Sequence, residues 1–320
     1  MGNELEKSVY QKKVQIIKES INKVIIGKSD TIDMLLTAVI SKGHVLLEDV
    51  PGTGKTLMAK TFAKSINAEF QRIQFTPDLL PSDVTGINFY NQKLGEFTFR
   101  KGPVFGNIIL ADEINRATPR TQSSLLECME EHQITIDGET RILDEPFLVI
   151  ATQNPIETAG TFQLPEAQLD RFMMKLKMGY PNKAEEIDII NRFLLESPFD
   201  SITPVCEKED IINMQAESKN VYVHSALKEY IVDIVNATRN IKNVSIGVSP
   251  RGTLTMINAA RSYAYISGRN YVVPEDIKML AVAVFAHRLV LRLGMTREDN
   301  RESFIEQVLE SVPVPTEEWS

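Results

Sequence analysis

Apolar residues along this 320-residue chain fall into two regimes. Up to about residue 180, short apolar runs alternate with stretches whose apolar residues recur at helical spacing. Five runs, at 45–48, 70–75, 107–111, 147–152 and 173–178, predict the strands of one parallel sheet. Ile32, Leu35, Leu36 and Val39 show the helical spacing that precedes the first of them. In the last run Met174, Leu176 and Met178 alternate with Lys175 and Lys177, which predicts an edge or half-covered strand. Strands alternating with helices indicate an α/β layered domain. Two insertions interrupt it and read as hairpins. Residues 86–100 hold Gly86, Asn91 and Gly95 among Phe89, Tyr90, Phe97 and Phe99. Residues 133–144 place Asp137-Gly138, a two-residue turn signal, between Ile134-Thr135-Ile136 and Arg141-Ile142-Leu143.

The pattern changes at Gly179-Tyr180-Pro181. Beyond it the spacing predicts helices only, over 184–196, 207–218, 224–240, 250–267, 274–290 and 300–311. Pro274-Glu275-Asp276 supplies the proline and acids of a helix start. The predicted architecture is an α/β core over residues 1–181 followed by a small all-α domain over 182–320.

Composition narrows the class. Hydrophobic residues make up 43% and charged residues 24%, the balance of a globular protein in water. No apolar run approaches a membrane span, and Met1-Gly2-Asn3-Glu4 opens a charged segment rather than a signal peptide, so a cytoplasmic location with no membrane insertion is expected. Cys128 and Cys206 are too few for a disulfide framework or the usual zinc site and are expected to be buried, inert thiols. His44 and His287 have no carboxylate or cysteine cluster beside them in sequence and are expected in the core or at the surface. A net charge of −8 argues against a nucleic-acid partner.

Candidate chemistry concentrates at Glu48-Asp49-Val50-Pro51-Gly52-Thr53-Gly54-Lys55-Thr56. The stretch follows the apolar Val45-Leu46-Leu47 and precedes Ala59, Phe62, Ala63 and Ile66 at helical spacing. A strand, a glycine turn and Gly-Lys-Thr opening a helix form the arrangement that holds a nucleoside triphosphate. Gly52 and Gly54 let the backbone curl so that N–H groups face phosphate oxygens, and the new helix adds its positive end. Lys55 brings a mobile charge to the β- and γ-phosphates, and the Thr56 hydroxyl suits Mg²⁺. Asp49 stands where the strict motif has glycine, so a second motif is needed. Ile108-Ile109-Leu110-Ala111-Asp112-Glu113 supplies it: a buried strand with two acids at its carboxyl end, where ligands of parallel sheets bind. Asp112 is placed to orient Mg²⁺ and Glu113 to polarise the water that attacks the γ-phosphate.

With these motifs the chain resembles the AAA+ ATPases, and within them the MoxR family. The resemblance is carried by Gly43-His44-Val45-Leu46-Leu47-Glu48-Asp49, Asp112-Glu113-Ile114-Asn115-Arg116-Ala117 and Ala151-Thr152-Gln153-Asn154-Pro155. It continues through Leu164-Pro165-Glu166-Ala167-Gln168-Leu169-Asp170-Arg171-Phe172 and Ser249-Pro250-Arg251, and spans most of residues 24–292. Asp49 in place of glycine resembles other MoxR members. The resemblance implies an AAA+ P-loop core with a five-stranded parallel sheet and a helical lid, and an ATPase using ATP and Mg²⁺. It implies Asn154 as the residue that helps hold the attacking water and Arg171 as a finger for a neighbouring subunit's ATP. For Arg171 a salt bridge to Asp170 or Glu166 is the plainer alternative, and Arg116 and Arg120 are the next candidates for the finger. Arg251 corresponds to a second sensor of the γ-phosphate, in its own subunit or the next. Ile25, Ile26 and Gly27 resemble the segment that lines adenine and could equally be core residues. The implied assembly is a ring, hexameric in expectation. It would remodel or mature a partner protein, such as one with a von Willebrand factor A domain, and the two hairpins are best placed to touch that client. A metal-insertion motor like the magnesium-chelatase ATPase subunit is one alternative. A DNA motor is another, weakened because Lys93 is the one basic residue of 86–99. A nucleotide-regulated binding module without turnover is the third.

Overall fold

The computed structural model describes residues 8–48, 50, 52–154, 160–194, 197–292 and 299–315. Asp49, Pro51 and Pro155 lie outside the described residues. Helices α1 (Val9–Asn22) and α2 (Ser29–Ile40) lead into strand β1 (Val45–Glu48), the glycine turn and α3 (Lys55–Ser65). Next come β2 (Phe70–Gln74), the short α4 (Pro81–Thr85), the hairpin β3 (Gly86–Asn91) and β4 (Glu96–Lys101), and β5 (Ile108–Asp112). Helix α5 (Pro119–Glu131) precedes the second hairpin, β6 (Gln133–Ile136) and β7 (Glu139–Ile142). Then follow β8 (Leu148–Gln153), α6 (Glu166–Leu169) and β9 (Met174–Leu176).

All five expected strands form one parallel sheet in the order β2-β5-β8-β1-β9, with β9 at an edge as its alternation predicted. Residues alternate cleanly between its two faces. Val45, Leu47, Ile108, Leu110, Leu148 and Ile150 join one core, while Leu46, Ile109, Ala111, Val149 and Ala151 join the other. Both hairpins are present, and at the tip of the second Asp137 and Gly138 both take positive φ, 52° and 83°, as a two-residue turn with native twist demands.

Beyond the sheet lie α7 (Lys183–Phe193), α8 (Lys208–Ser218), α9 (Ser225–Arg239), β10 (Val244–Ile246), α10 (Pro250–Ile266), α11 (Pro274–Phe285), β11 (Val290–Leu291) and α12 (Asp299–Ser311). Two expectations are corrected here. The region is not wholly helical, because β10 and β11 pair as an antiparallel ribbon. The helix predicted over 274–290 ends at Phe285. His287 and Arg288 turn inward to meet backbone carbonyls of the core, and Val290–Leu291 enters the ribbon; tertiary bonding overrides helical pattern.

These helices pack back on the start of the chain, sharing one apolar core with α1, α2, α3 and one sheet face. Gln215 donates from Nε2 to the Val39 carbonyl at 2.9 Å, and Lys13 pairs with Asp210 at 2.6 Å. Asp276 ties the start of α11: its carboxylate accepts the Val273 N–H at 2.9 Å and a two-pronged bond from Arg269 at 2.8 and 2.5 Å, while only 2% exposed. Asp276→Ala would strand the Arg269 charge, and an expected loss of about 3–5 kcal/mol should show as a lower urea midpoint.

Cys128 and Cys206 are buried and unbridged, with burial pushing each thiol up to about 12. His44 and His287 are buried in the core as well, and burial pulls His44 down to about 3, so its ring is neutral. Among the described residues no helix is long and apolar enough to cross a membrane.

Candidate functional site

At the carboxyl end of β1 the backbone turns through Gly52 and Gly54, with φ of 85° and 86°. That left-handed geometry suits glycine, and a Cβ at either residue would meet nothing within 4 Å, so the turn borders open space of the kind a phosphate would fill. Lys55 opens α3 directly behind it. Gly54 has no side chain to cap the helix, which leaves first-turn N–H groups facing a cleft of about 510 Å³. Lys55 Nζ donates to the Val50 carbonyl at 3.3 Å and lies folded against the turn.

The opposite wall of the cleft carries Asp112, Glu113 and Asn154, from the ends of the neighbouring strands β5 and β8. Thr152 organises the acids. Its hydroxyl donates to Asp112 Oδ1 at 2.7 Å and accepts the Glu113 N–H at 2.8 Å, an arrangement that goes with the left-handed backbone of Glu113, φ 56°. Arg72 on β2 donates to Asp112 Oδ2 at 2.7 Å. Glu113 Oε2 accepts from Gln74 at 2.8 Å and from Arg116 at 3.0 Å. Asn154 is 8% exposed and shares the cleft with Thr53, Lys55 and Thr56. Thr56 and Asp112 offer hard oxygen donors, the chemistry Mg²⁺ accepts alongside phosphates. Among the described residues no cluster of three His, Cys, Asp or Glu could cage a metal by itself.

A second, apolar recess adjoins the glycine turn. Ile25 and Ile26 line it together with Leu57, Met178, Ile189 and Phe193. Gly27, φ 69°, borders Glu185 so closely that a Cβ would lie 2.2 Å from its carboxylate. Glu185 is fixed there because it closes the capping box of α7 with Asn182.

Arg171 and Arg251 lie elsewhere. They share a separate cavity of about 280 Å³, bordered by Lys42, His132 and Arg288, and neither lines the cleft around Gly52–Thr56. One carboxylate holds both: Glu130 Oε2 pairs with Arg171 Nε at 3.0 Å, and Glu130 Oε1 bonds Arg251 Nη2. Arg251 sits in the first turn of α10, behind the Ser249 cap, whose Oγ accepts the Gly252 N–H at 3.3 Å.

Residues 44–174 match the ATPase family associated with various cellular activities (AAA), and residues 236–310 match the AAA lid domain. A Bacillus subtilis protein, YeaC, named as uncharacterized, is 51% identical over 93% of this chain and 94% of its own length. Chaperone MoxR1 of Mycobacterium tuberculosis is 44% identical over 92% of this chain and 80% of its own. The chain belongs to the MoxR-type AAA+ ATPases. A crystal structure of a proposed ATPase from Cytophaga hutchinsonii, 40% identical, superposes with a TM-score of 0.89 over 96% of each chain. As a MoxR-type ATPase the protein binds nucleotide and hydrolyses ATP.

Within this MoxR-type fold the sequence-predicted residues separate into two groups. Gly52, Thr53, Gly54, Lys55, Thr56, Asp112, Glu113 and Asn154 come together in one cleft, with Ile26 and Gly27 beside it. Arg171 and Arg251 form the other group. The salt bridge considered for Arg171 is present with a different acid: Asp170 pairs with Arg288 and Glu166 with Arg301, leaving Glu130 to Arg171. Sequence reasoning missed Arg72, Gln74 and Thr152. Their signal is sheet order, because Gln74 becomes a neighbour of Asp112 only when β2 pairs with β5.

Proposed function

We propose that the protein works as a subunit of a ring, hexameric by family resemblance, in which each ATP is read by two chains. The supporting observation is the separation of Arg171 and Arg251 from the cleft that holds Gly52 to Thr56, Asp112, Glu113 and Asn154. One subunit supplies the triphosphate cradle and the water-handling groups, and the adjacent subunit presents arginines to the γ-phosphate. Lys55 binds the β- and γ-phosphates. Mg²⁺, held by Thr56 and Asp112, would neutralise phosphate charge. Glu113 takes the proton of the attacking water, and Asn154 fixes that water through its amide oxygen, which accepts a hydrogen bond from it, while its amide N–H donates to phosphate. Arg171 stabilises charge on the transferring phosphoryl group with a planar fork of donors. Arg251, at the start of α10, ties lid position to the same phosphate. The apolar recess lined by Ile25 and Ile26, with Gly27 between Ile26 and Lys28 at its border, takes the base.

In this reading the chain divides at residue 181, and the helical part acts as a lid that moves with nucleotide state. Turnover remodels or matures a cytoplasmic client protein, with a von Willebrand factor A domain partner as the favoured class. The hairpins support a role in client contact because Phe97 and Ile142 are 73% and 78% exposed.

The test is a concentration series. Turnover per subunit should rise with protein concentration and track the assembled mass measured by sedimentation; constant turnover across monomeric and assembled samples would remove the shared site. A DNA anisotropy titration at physiological salt should show nothing tighter than non-specific binding, ~10⁻⁴–10⁻⁶ M, given the net charge of −8. ATP-dependent DNA binding well below that range would favour a DNA motor.

A further inference from the structure

Arg288 is the most deeply buried cation near the two arginines, with its side chain 2% exposed. A guanidinium is costly to bury, so its retention in a core asks what its donors hold. They hold the backbone around Arg171. Nη2 donates to the Phe172 carbonyl at 2.8 Å and to the Asp170 carbonyl at 3.3 Å. Nη1 donates to the Met173 carbonyl at 3.3 Å and to the Val284 carbonyl. Nε lies 2.8 Å from Asp170 Oδ1 in an ion pair. The neighbouring His287 places Nε2 3.1 Å from the same Phe172 carbonyl. Carbonyls on both sides of Arg171 are therefore held by one rigid planar group carried on the turn that ends α11. Asp170 extends the connection, since its Oδ2 accepts from Ser249 Oγ at 3.4 Å, at the cap of the helix that carries Arg251.

We infer that Arg288 is a positioning residue for the arginine edge, fixing the backbone from which Arg171 reaches towards a neighbour's ATP. The inference rests on the reading of Arg171 as acting in trans. Arg288 touches no nucleotide of its own subunit, because it lies in the cavity of Arg171 and Arg251 rather than in the cleft of Lys55 and Glu113. Loss of Arg288 should therefore spare ATP binding and damage only the contribution a subunit makes to its neighbour. Misplacing a catalytic group by about 1 Å costs roughly 10²-fold in rate, which sets the expected effect.

The experiment measures ATP affinity and turnover for Arg288→Met and Arg288→Lys, each alone and mixed with Glu113→Gln. Lysine keeps the charge beside Asp170 but lacks the fork that spans Phe172 and Met173. Arg171→Ala mixed with Glu113→Gln is the control, with co-assembly verified by mass. Both Arg288 variants should bind ATP as the parent does, lose roughly 10²-fold in turnover, and regain activity in the mixture. Rescue is the readout that a merely structural role would not produce. It arises where an intact Glu113 from the Arg288 variant faces an intact arginine edge from the Glu113→Gln subunit. Undiminished turnover in both variants would overturn the inference. So would rescue of Arg171→Ala without rescue of Arg288→Lys, or an Arg288→Lys chain whose circular dichroism shows it unfolded. A control that itself fails to recover activity removes the trans reading and this inference together.

Discussion

Glu113→Gln should bind ATP as tightly as the parent and lose roughly 10²–10⁴-fold in turnover, the usual contribution of a positioned general base. The substitution keeps size and planarity, so Gln74 and Arg116 still find an acceptor in the amide oxygen. What disappears is the carboxylate that takes the proton of the attacking water. Lys55→Ala should fail earlier in the cycle. Removing a charge-assisted contact to phosphate costs about 1.5–3 kcal/mol, or roughly 10–150-fold in Kd. Equilibrium binding of a fluorescent ATP analogue with a phosphate-release assay separates the two. A Glu113→Gln protein with undiminished turnover would show that another group activates the water.

Arg171→Ala has the opposite signature to Lys55→Ala. ATP binding should be close to normal, because Arg171 does not line the cleft of its own P-loop. Turnover should fall by ~10³–10⁵-fold, the range for an arginine finger. In mixtures with Glu113→Gln, some interfaces pair an intact Glu113 with an intact Arg171, and a trans finger predicts partial recovery. Recovery should follow the statistics of mixing, peaking at intermediate ratios. If Arg171 served its own subunit, every chain would keep one defect and no ratio would help. The residue would then be read as the ion-pair partner of Glu130, and Arg116 or Arg120 would take the finger role.

Sequence patterns made the sheet legible because its strands are short, apolar and bounded by polar or glycine-bearing turns, as with Val45–Glu48 ahead of the glycine turn. The Asp137-Gly138 tip was legible because a two-residue hairpin turn requires two positive φ angles. Gly52 to Thr56 and Asp112-Glu113 were legible because phosphate and water chemistry demands those residue types in a tight local order. Arg72, Gln74 and Thr152 were not, since they reach the site through sheet order. Glu130 meets Arg171 and Arg251 only when α5, the approach to β9 and α10 converge. The end of α11 was misread for a similar reason. Ala286 to Val290 continue an apolar helical pattern, and what stops the helix is a set of carbonyls more than a hundred positions away in the chain.

The core shared by the first and last helices has a consequence for how the chain is made. Gln215, which completes a bond to Val39, emerges from the ribosome 176 residues after it. At ordinary elongation rates that is roughly 10–35 s. Throughout this interval α2, whose residues from Thr31 to Ile40 are largely buried in the finished fold, has no partner from α8 or α10. The face of α2 that α8 and α10 cover therefore stays open until synthesis is well advanced. During translation this ATPase is itself the kind of exposed chain that general chaperones bind.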